Sequence, residues 1–263
     1  MKKLFEYKNA TATYKIIGNG KPVVLIHGFA EDSTIFNAQI EFLKNYCLLI
    51  VPDLPGSGAS ATNIQLLSIE DFAHFINALL QQENITECTM LGHSMGGYIT
   101  LAFAELFPDK LNGFGLIHSS AFADSEEKKL ARQKGITMIE EYGSYPFLKN
   151  TIPSLFGKKF KEENVEEINE LIEAGKSFTA AALQQYYTAM MNRVDRTQVL
   201  KNSKNPILFI IGTEDAAIPL NDVLQQTILP NCSYIHLLDG VGHMSMLEAT
   251  EKLNLHLLHF INR

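Results

Sequence analysis

Cysteine is scarce in this sequence, with three residues, Cys47, Cys88 and Cys232, among 263. They form no CxxC pair and none has an adjacent histidine, so neither a disulfide framework nor a zinc site is indicated. Each lies in or beside an apolar run, and we expect all three to be buried, reduced thiols. This pattern favours a reducing, cytoplasmic setting.

Basic residues are also outnumbered, with 22 Lys and Arg against 29 Asp and Glu and a net charge of -7. No basic run is interleaved with aromatic residues, which argues against a nucleic-acid partner. No apolar segment approaches the ~20 residues that span a bilayer, and Glu6 and Lys8 interrupt any signal peptide. We therefore expect no membrane partner. Since no histidine cluster has metal-ligand spacing, we also expect no metal, and we expect no other cofactor.

Short apolar runs without polar alternation are typical of strands buried on both faces of a sheet. Such runs cover residues 22–26, 47–51, 88–91, 114–117, 206–211 and 233–238, and an earlier strand is predicted over 11–17. Helical patterns alternate with them: one begins at Ser68 with Asp71 at the capping-box position, one follows Ser94, and one closes the chain. The alternation predicts an α/β fold with a mostly parallel sheet covered on both faces.

The pattern changes between about residues 121 and 198. Charged, helix-favouring stretches replace the buried strands there, and Pro146, Pro153 and Gly157 divide them into short helices. We therefore predict a helical insertion at 121–198, and a core domain formed by residues 1–120 and 199–263.

The stretch Gly92-His93-Ser94-Met95-Gly96 joins a predicted strand to a predicted helix. Such a sharp turn brings the residues on either side of the serine too close for side chains, which explains the two glycines. It also holds the Ser94 hydroxyl at the carboxyl edge of the sheet, where ligands bind in open α/β folds. The Met95 N–H lies at a helix N-terminus, which favours negative charge. Alone, however, the motif also fits a glycine-rich turn with an unimportant serine.

Other motifs follow strand ends at the same edge of the sheet. The Phe29 N–H, after His27-Gly28, is a candidate second donor to an oxyanion. Asp215 and His243 follow later strands, and the order Ser, Asp, His matches one known order of a catalytic triad. Glu214 and Asp239 remain alternative carboxylates for His243, although Asp215 is favoured.

With these motifs and Asp53-Leu54-Pro55-Gly56-Ser57-Gly58, the sequence resembles the α/β-hydrolase superfamily over essentially its whole length. It is similar to small esterases and C–C-bond hydrolases with Ser-Met-Gly-Gly elbows. It departs from the dehalogenase and epoxide-hydrolase branches, which need a carboxylate where Ser94 stands.

The resemblance implies an eight-stranded, mostly parallel sheet with a helical cap over the active site. It implies an acyl-enzyme mechanism in which Ser94 is the nucleophile, His243 the base and Asp215 its partner. The amides of Phe29 and Met95 would form the oxyanion hole.

The substrate pocket and the bond that is cleaved are less well specified. The pocket candidates are His118, Phe147, Phe156, Tyr186 and Ile218, although apolar residues at helical spacing also pack a cap onto its core. The favoured function is cofactor-free hydrolysis of a small carboxylic ester by a monomer or homodimer. C–C, thioester or amide hydrolysis, acyl transfer, and a non-catalytic small-ligand receptor remain alternatives, although a pure binder does not need a strained elbow.

Overall fold

The computed structural model of the chain describes residues 1–60 and 68–263. Its strands are β1 (Lys2–Tyr7), β2 (Ala10–Gly18), β3 (Pro22–Ile26), β4 (Leu48–Pro52), β5 (Cys88–His93), β6 (Leu111–Ile117), β7 (Ile207–Gly212) and β8 (Ser233–Leu238). Within the described residues they form one eight-stranded sheet in the order β1-β2-β4-β3-β5-β6-β7-β8. The pairings from β4 through β8 are parallel, whereas β1 and β2 add antiparallel strands at one end. The predicted α/β fold with its mostly parallel sheet is confirmed.

Helices connect the strands and cover the sheet. The α-helices are α1 (Asn37–Leu43), α2 (Ile69–Gln82), α3 (Met95–Leu106), α4 (Glu126–Tyr142), α5 (Ser144–Thr151), α6 (Lys158–Glu163), α7 (Val165–Ala174), α8 (Ala180–Met191), α9 (Thr197–Asn202), α10 (Leu220–Thr227), α11 (Ser245–Glu248) and α12 (Thr250–Ile261). Short 3₁₀ helices span Ser33–Phe36, Pro108–Lys110, Ile152–Leu155 and Gly175–Ser177. No helix in the described part of the chain has both the length and the apolar character to cross a bilayer.

The sheet is packed on both faces, as its apolar runs predict. In β3, Val24 and Ile26 join one core cluster, which includes α2 and α3. Val23 and Leu25 join a second cluster, which includes α1 and α12. Because successive strand residues point to opposite faces, a strand between two helical layers must be apolar at every position.

Helix α2 begins as the sequence predicts. The Ser68 side chain accepts a hydrogen bond from the Asp71 amide, and the Asp71 carboxylate accepts one from the Ser68 amide. This capping box satisfies two amides that the first turn leaves unpaired, and such a cap contributes about 1 kcal/mol.

Two edge elements depart from the predictions. Strand β1 was not predicted, because Lys2, Lys3 and Glu6 hide its pattern, as charges often do on an edge strand. Strand β8 was predicted to be buried, but it is the other edge and its residues alternate in exposure. Cys232, just before β8, is exposed, so the expectation of a buried thiol is wrong there; Cys47 and Cys88 are buried.

Helices α4 to α9 lie between β6 and β7 in the chain and contact the loops at the carboxyl edge of the sheet. The Tyr186 hydroxyl is 2.7 Å from Ser57 Oγ in the turn after β4. The Gly157 amide donates to Glu248 at 2.8 Å, in the segment after β8. These contacts place the helical segment beside the strand ends that carry the candidate catalytic residues.

Candidate active site

Ser94 stands between β5 and α3 in a strained backbone conformation, with φ 51° and ψ -113°. This region is costly for a residue that has a Cβ, and such strain concentrates at functional sites. A Cβ on Gly92 would lie 2.1 Å from the Gly96 oxygen, and one on Gly96 would lie 2.2 Å from the Ile26 oxygen. Only glycine fits either position, so the turn keeps its sharp geometry and leaves Ser94 partly exposed.

The backbone of Ser94 is held by the neighbouring strand. Its amide donates to the Ile117 carbonyl at 2.9 Å, and Ser119 Oγ donates to its carbonyl at 2.7 Å. Its hydroxyl makes no hydrogen bond within residues 1–60 and 68–263. The backbone of Ser94 is therefore held on both sides, while its hydroxyl has no hydrogen-bond partner among the described residues.

The loop after β3 lies against Ser94, because a Cβ on Gly28 would be 3.2 Å from Ser94 Cβ. His27 shapes this loop: its Nε2 accepts from the Leu54 amide at 3.0 Å, so its Nδ1–H donates to the Gly28 carbonyl at 2.9 Å. Among the described residues, the amides of Phe29 and Met95 donate to no protein acceptor. Two free N–H groups beside a serine are what a developing oxyanion needs.

Asp215, in the loop after β7, receives a full set of hydrogen bonds. His243 Nδ1 donates to its Oδ2 at 2.8 Å and His118 Nδ1 to the same atom at 3.1 Å. The amides of Ala217 and Ile218 each donate to its Oδ1 at 2.9 Å. Burial alone would raise the pKa of Asp215, but His243 and the hydrogen bonds from both histidines lower it overall. The carboxylate is therefore charged and fixes the orientation of both rings.

His118 is fully buried, and burial lowers its pKa to about 4. It is therefore neutral near pH 7, with its proton on Nδ1 and a buried Nε2 that has no partner in the described residues. One donor atom each from His118, Asp215 and His243 lies within 4.8 Å of the others, as metal ligands would. Hydrogen bonding to the shared carboxylate already accounts for this grouping.

The alternative carboxylates for His243 point elsewhere. Glu214 accepts from the Lys158 amide at 2.7 Å, and Asp239 is exposed and accepts from Thr213 Oγ1 at 3.3 Å. Of the three candidate carboxylates, Asp215 is thus the one that accepts a hydrogen bond from His243.

A buried ion pair that the sequence analysis did not identify connects three loops of the candidate site. Glu31 Oε2 accepts from the Gly28 amide at 2.6 Å and from His93 Nδ1 at 2.9 Å. His93 Nε2 lies 2.9 Å from the carbonyl oxygen of His243. Because both of its nitrogens face acceptors, His93 donates from both and is an imidazolium. The pair therefore joins the loop of Phe29, the elbow and the loop of His243.

The charges of this pair stabilise the fold within a pH window. Burial lowers the pKa of His93, but Glu31 and the hydrogen bonds raise it overall. The stabilisation from the His93 charge is therefore complete below the ordinary pKa of about 6.5, and it is lost as pH rises through the raised pKa. Burial raises the pKa of Glu31, but His93 lowers it overall, so that contribution is present above about 4.3 and is lost as pH falls. The pair stabilises the fold most between these values.

Replacing Glu31 with alanine is expected to lower the free energy of unfolding by about 3–5 kcal/mol, because it leaves the buried His93 charge and the Gly28 amide without a partner. Urea unfolding at pH 6 measures the change. Glu31→Gln, which keeps an acceptor for the amide, is expected to lose less.

Glu41→Ala is the matched control, since this glutamate lies on the surface of α1 with its side chain 75% exposed. It is expected to change stability by less than about 1 kcal/mol. Equal small losses for Glu31→Ala and Glu41→Ala would contradict the assigned role of the ion pair.

Glu248 organises the loop of His243, a role that the sequence analysis did not identify. It accepts hydrogen bonds from the amides of Gly242 and Met244 at 2.9 Å each, and from Gly157 at 2.8 Å. Burial raises the pKa of its carboxyl group. No short motif signals such a role, because the Gly157 contact comes from a segment 91 residues away.

The pocket candidates do not form one group. Phe147 packs edge-on against Phe29, with ring centroids 6.5 Å apart, while Phe156 stacks on Phe160 at 5.2 Å. Tyr186 donates to the Pro55 carbonyl at 3.0 Å and so fastens α8 to the core. Ile218, like the others, is buried. Contact of these side chains with a substrate stays a prediction.

Comparisons with known proteins give relatives that span most of the chain. It is 26% identical over 254 residues to a pimeloyl-[acyl-carrier protein] methyl ester esterase of Xylella fastidiosa, covering 94% of this chain and 97% of that protein. It is 27% identical to the dihydrolipoyllysine-residue acetyltransferase component of an acetoin cleaving system of Pseudomonas putida, and spans only 64% of its length.

A solved esterase from Thermogutta terrifontis superposes with a TM-score of 0.91 at 26% identity, covering 96% of this chain and 93% of that one. A family model described as alpha/beta hydrolase fold matches residues 21–250. That match includes every strand from β3 to β8 and the loops of Phe29, Ser94, Asp215 and His243. The chain belongs to the α/β hydrolase fold family.

Proposed function

We propose that this protein is a cofactor-free serine hydrolase that cleaves a small carboxylic ester through an acyl-enzyme. The observation that carries the proposal is the 2.8 Å hydrogen bond from His243 to Asp215, at the sheet edge where Ser94 stands in a strained turn. The esterases and a lipase of Psychrobacter immobilis among its relatives support ester chemistry.

Acylation begins when Ser94 Oγ attacks the ester carbonyl carbon while His243 Nε2 takes the hydroxyl proton. The carbonyl oxygen becomes an oxyanion and accepts hydrogen bonds from the amides of Phe29 and Met95. Each such donor contributes about 3 kcal/mol to transition-state stabilisation. The bond to the alcohol oxygen then breaks, and His243 gives its proton to that oxygen.

Deacylation repeats these steps with water. His243 removes a proton from the water as its oxygen attacks the acyl carbon, and the proton then passes to Ser94 Oγ as the acid leaves. Asp215 remains a carboxylate throughout and stabilises the imidazolium form of His243. Helices α4 to α9 act as a cap that covers the reacting groups.

The proposal is tested with a panel of p-nitrophenyl esters of increasing acyl length, a vinylogous diketone, and a fluorophosphonate label. We expect ester turnover, little cleavage of the diketone, and stoichiometric labelling that peptide mapping assigns to Ser94. Turnover of the diketone alone would replace ester with C–C hydrolysis. The absence of both turnover and label would favour a non-catalytic receptor.

A further inference from the structure

A charged cluster of Asp124, Arg132 and Arg193 lies within the helical segment between β6 and β7. The Asp124 side chain has no exposed surface, and its two oxygens accept from Arg132 Nε and Arg193 Nη1, each at 2.7 Å. One carboxylate therefore faces two guanidinium groups. The cluster therefore has a net charge of +1, which no group within the cluster neutralises.

The surplus charge belongs to Arg132. Arg193 uses all of its nitrogens, because Nη1 also donates to the Met190 carbonyl at 2.9 Å, and Nε and Nη2 donate to the Phe122 carbonyl at 3.2 and 3.0 Å. Arg132 binds Asp124 through Nε and, more weakly, Nη2. Its Nη1 has no hydrogen-bond partner in the part of the chain that the structure describes, and 19% of the surface of its side chain is accessible to solvent.

Two sets of contacts lead from helix α4, which carries Arg132, to the loop of Phe29 and the loop of Asp215. Its guanidinium carbon is 5.4 Å from the centroid of the Tyr187 ring, which stacks on Phe29 with centroids 4.3 Å apart and planes within 5°. One turn earlier on α4, Lys128 Nζ reaches the Ala217 carbonyl at 3.4 Å. Helix α4 therefore contacts the loop of Asp215 directly and the loop of Phe29 through Tyr187.

A third contact leads to the elbow. The Arg193 guanidinium lies 3.9 Å over the ring of Tyr98, the fourth residue of the helix that begins at Met95. The cluster is thus next to the first turn of α3, which starts directly after Ser94. Arg132 is therefore linked, through Tyr187, Arg193 and the preceding turn of α4, to the loops that carry the candidate oxyanion donors, nucleophile and acid.

We propose that Arg132 binds a carboxylate of the substrate, so that the preferred substrate is a monoester of a dicarboxylic acid. An arginine fork suits a carboxylate because it donates two parallel, charge-assisted hydrogen bonds. The Asp124 contact holds the guanidinium in place, and this reduces the entropy lost when a ligand binds. The inference rests on the proposed ester hydrolysis and adds the class of ester.

The test compares the monomethyl esters of succinate, glutarate and adipate with neutral methyl esters of the same chain lengths, in which a primary amide replaces the free carboxylate. The release of methanol measures the turnover of both kinds of ester. For the wild-type protein we expect kcat/KM to be at least tenfold higher for the best anionic ester than for the neutral, amide-bearing ester of the same length. Arg132→Gln is expected to remove this preference by raising KM for the anionic ester, with kcat/KM for the neutral ester changed less than about twofold. Arg132→Lys is expected to keep part of the preference.

Lys134→Gln is the matched control, since it removes one positive charge from the exposed face of the same helix. It is expected to keep the preference. Titration of free glutarate into wild type, Arg132→Gln and Lys134→Gln by calorimetry gives a second measurement that needs no turnover. We expect a loss of at least tenfold in affinity for Arg132→Gln alone.

The outcomes separate the two proposals. Turnover of neutral and anionic esters at equal rates, with no effect of Arg132→Gln on glutarate binding, would overturn the role of Arg132 while leaving ester hydrolysis intact. Glutarate binding that depends on Arg132, without turnover of any ester and without labelling of Ser94, would support the carboxylate site and overturn the proposed hydrolysis. An equal loss on both ester types would show that Arg132 acts only through Asp124.

Discussion

Replacing Ser94 with alanine is expected to lower kcat for ester hydrolysis by about 10⁴-fold or more. The change removes the oxygen that forms the acyl-enzyme, while the amides of Phe29 and Met95 still stabilise some of the oxyanion formed when water attacks directly. The residual rate should show no initial burst of p-nitrophenol. Stopped-flow kinetics with a chromogenic ester measure both quantities.

Ser177→Ala is the matched control, because Ser177 is an exposed serine in the helical segment whose hydroxyl donates to the Ala174 carbonyl. It should keep full turnover and full labelling by the fluorophosphonate. Thermal unfolding shows whether Ser94→Ala is still folded. A folded Ser94→Ala protein with near wild-type kcat would remove Ser94 from the mechanism.

Replacing Asp215 with asparagine is expected to lower kcat by about 10⁴-fold, as a change of histidine tautomer does in other triads. Asp215 accepts four N–H donors. An asparagine has only one acceptor oxygen, so its NH₂ group must face two of those donors. When it faces His243, the Nδ1 atom must give up its proton and Nε2 must carry one, so Nε2 can no longer accept the proton of Ser94.

Asp239→Asn is the control, because both aspartates were candidates for the histidine and only Asp215 reaches it. It is expected to change kcat by less than about twofold. Asp215→Asn should also lower the free energy of unfolding near neutral pH, with a difference from wild type that shrinks as pH falls, because a carboxylate whose pKa is lowered stabilises the fold above its ordinary pKa of about 3.9 and loses that effect in acid. A larger loss of kcat in Asp239→Asn than in Asp215→Asn would reverse the assignment.

Several features were predictable because their causes are local. The glycines at 92 and 96 are required by atoms within four residues or on the adjacent strand, so the elbow can be identified from five letters. The capping box of α2 depends on two residues three apart. The unbroken apolar runs of β3 and β7 follow from burial on both faces of the sheet.

The edge strands were less predictable, for a physical reason. Strand β1 carries charges because one of its edges is free, and strand β8 places Ile235 and Leu237 on an exposed face, where 42% and 49% of their surface is accessible. An apolar run in the sequence therefore does not distinguish a central strand from an edge strand. Cys232 was wrongly predicted to be buried for the same reason.

The sequence by itself determined the class of fold, the strained serine and the set of acids that follow late strands, because these depend on the spacing of neighbouring residues. Only the tertiary structure decided that His243 takes Asp215, that His118 shares that carboxylate, that Glu31 pairs with His93, and that Arg132 keeps a free edge. Each of the first three contacts joins loops from different strands, 28, 97 and 62 residues apart. Such partners are chosen by the order of strands in the sheet and by loop packing, which no local spacing encodes.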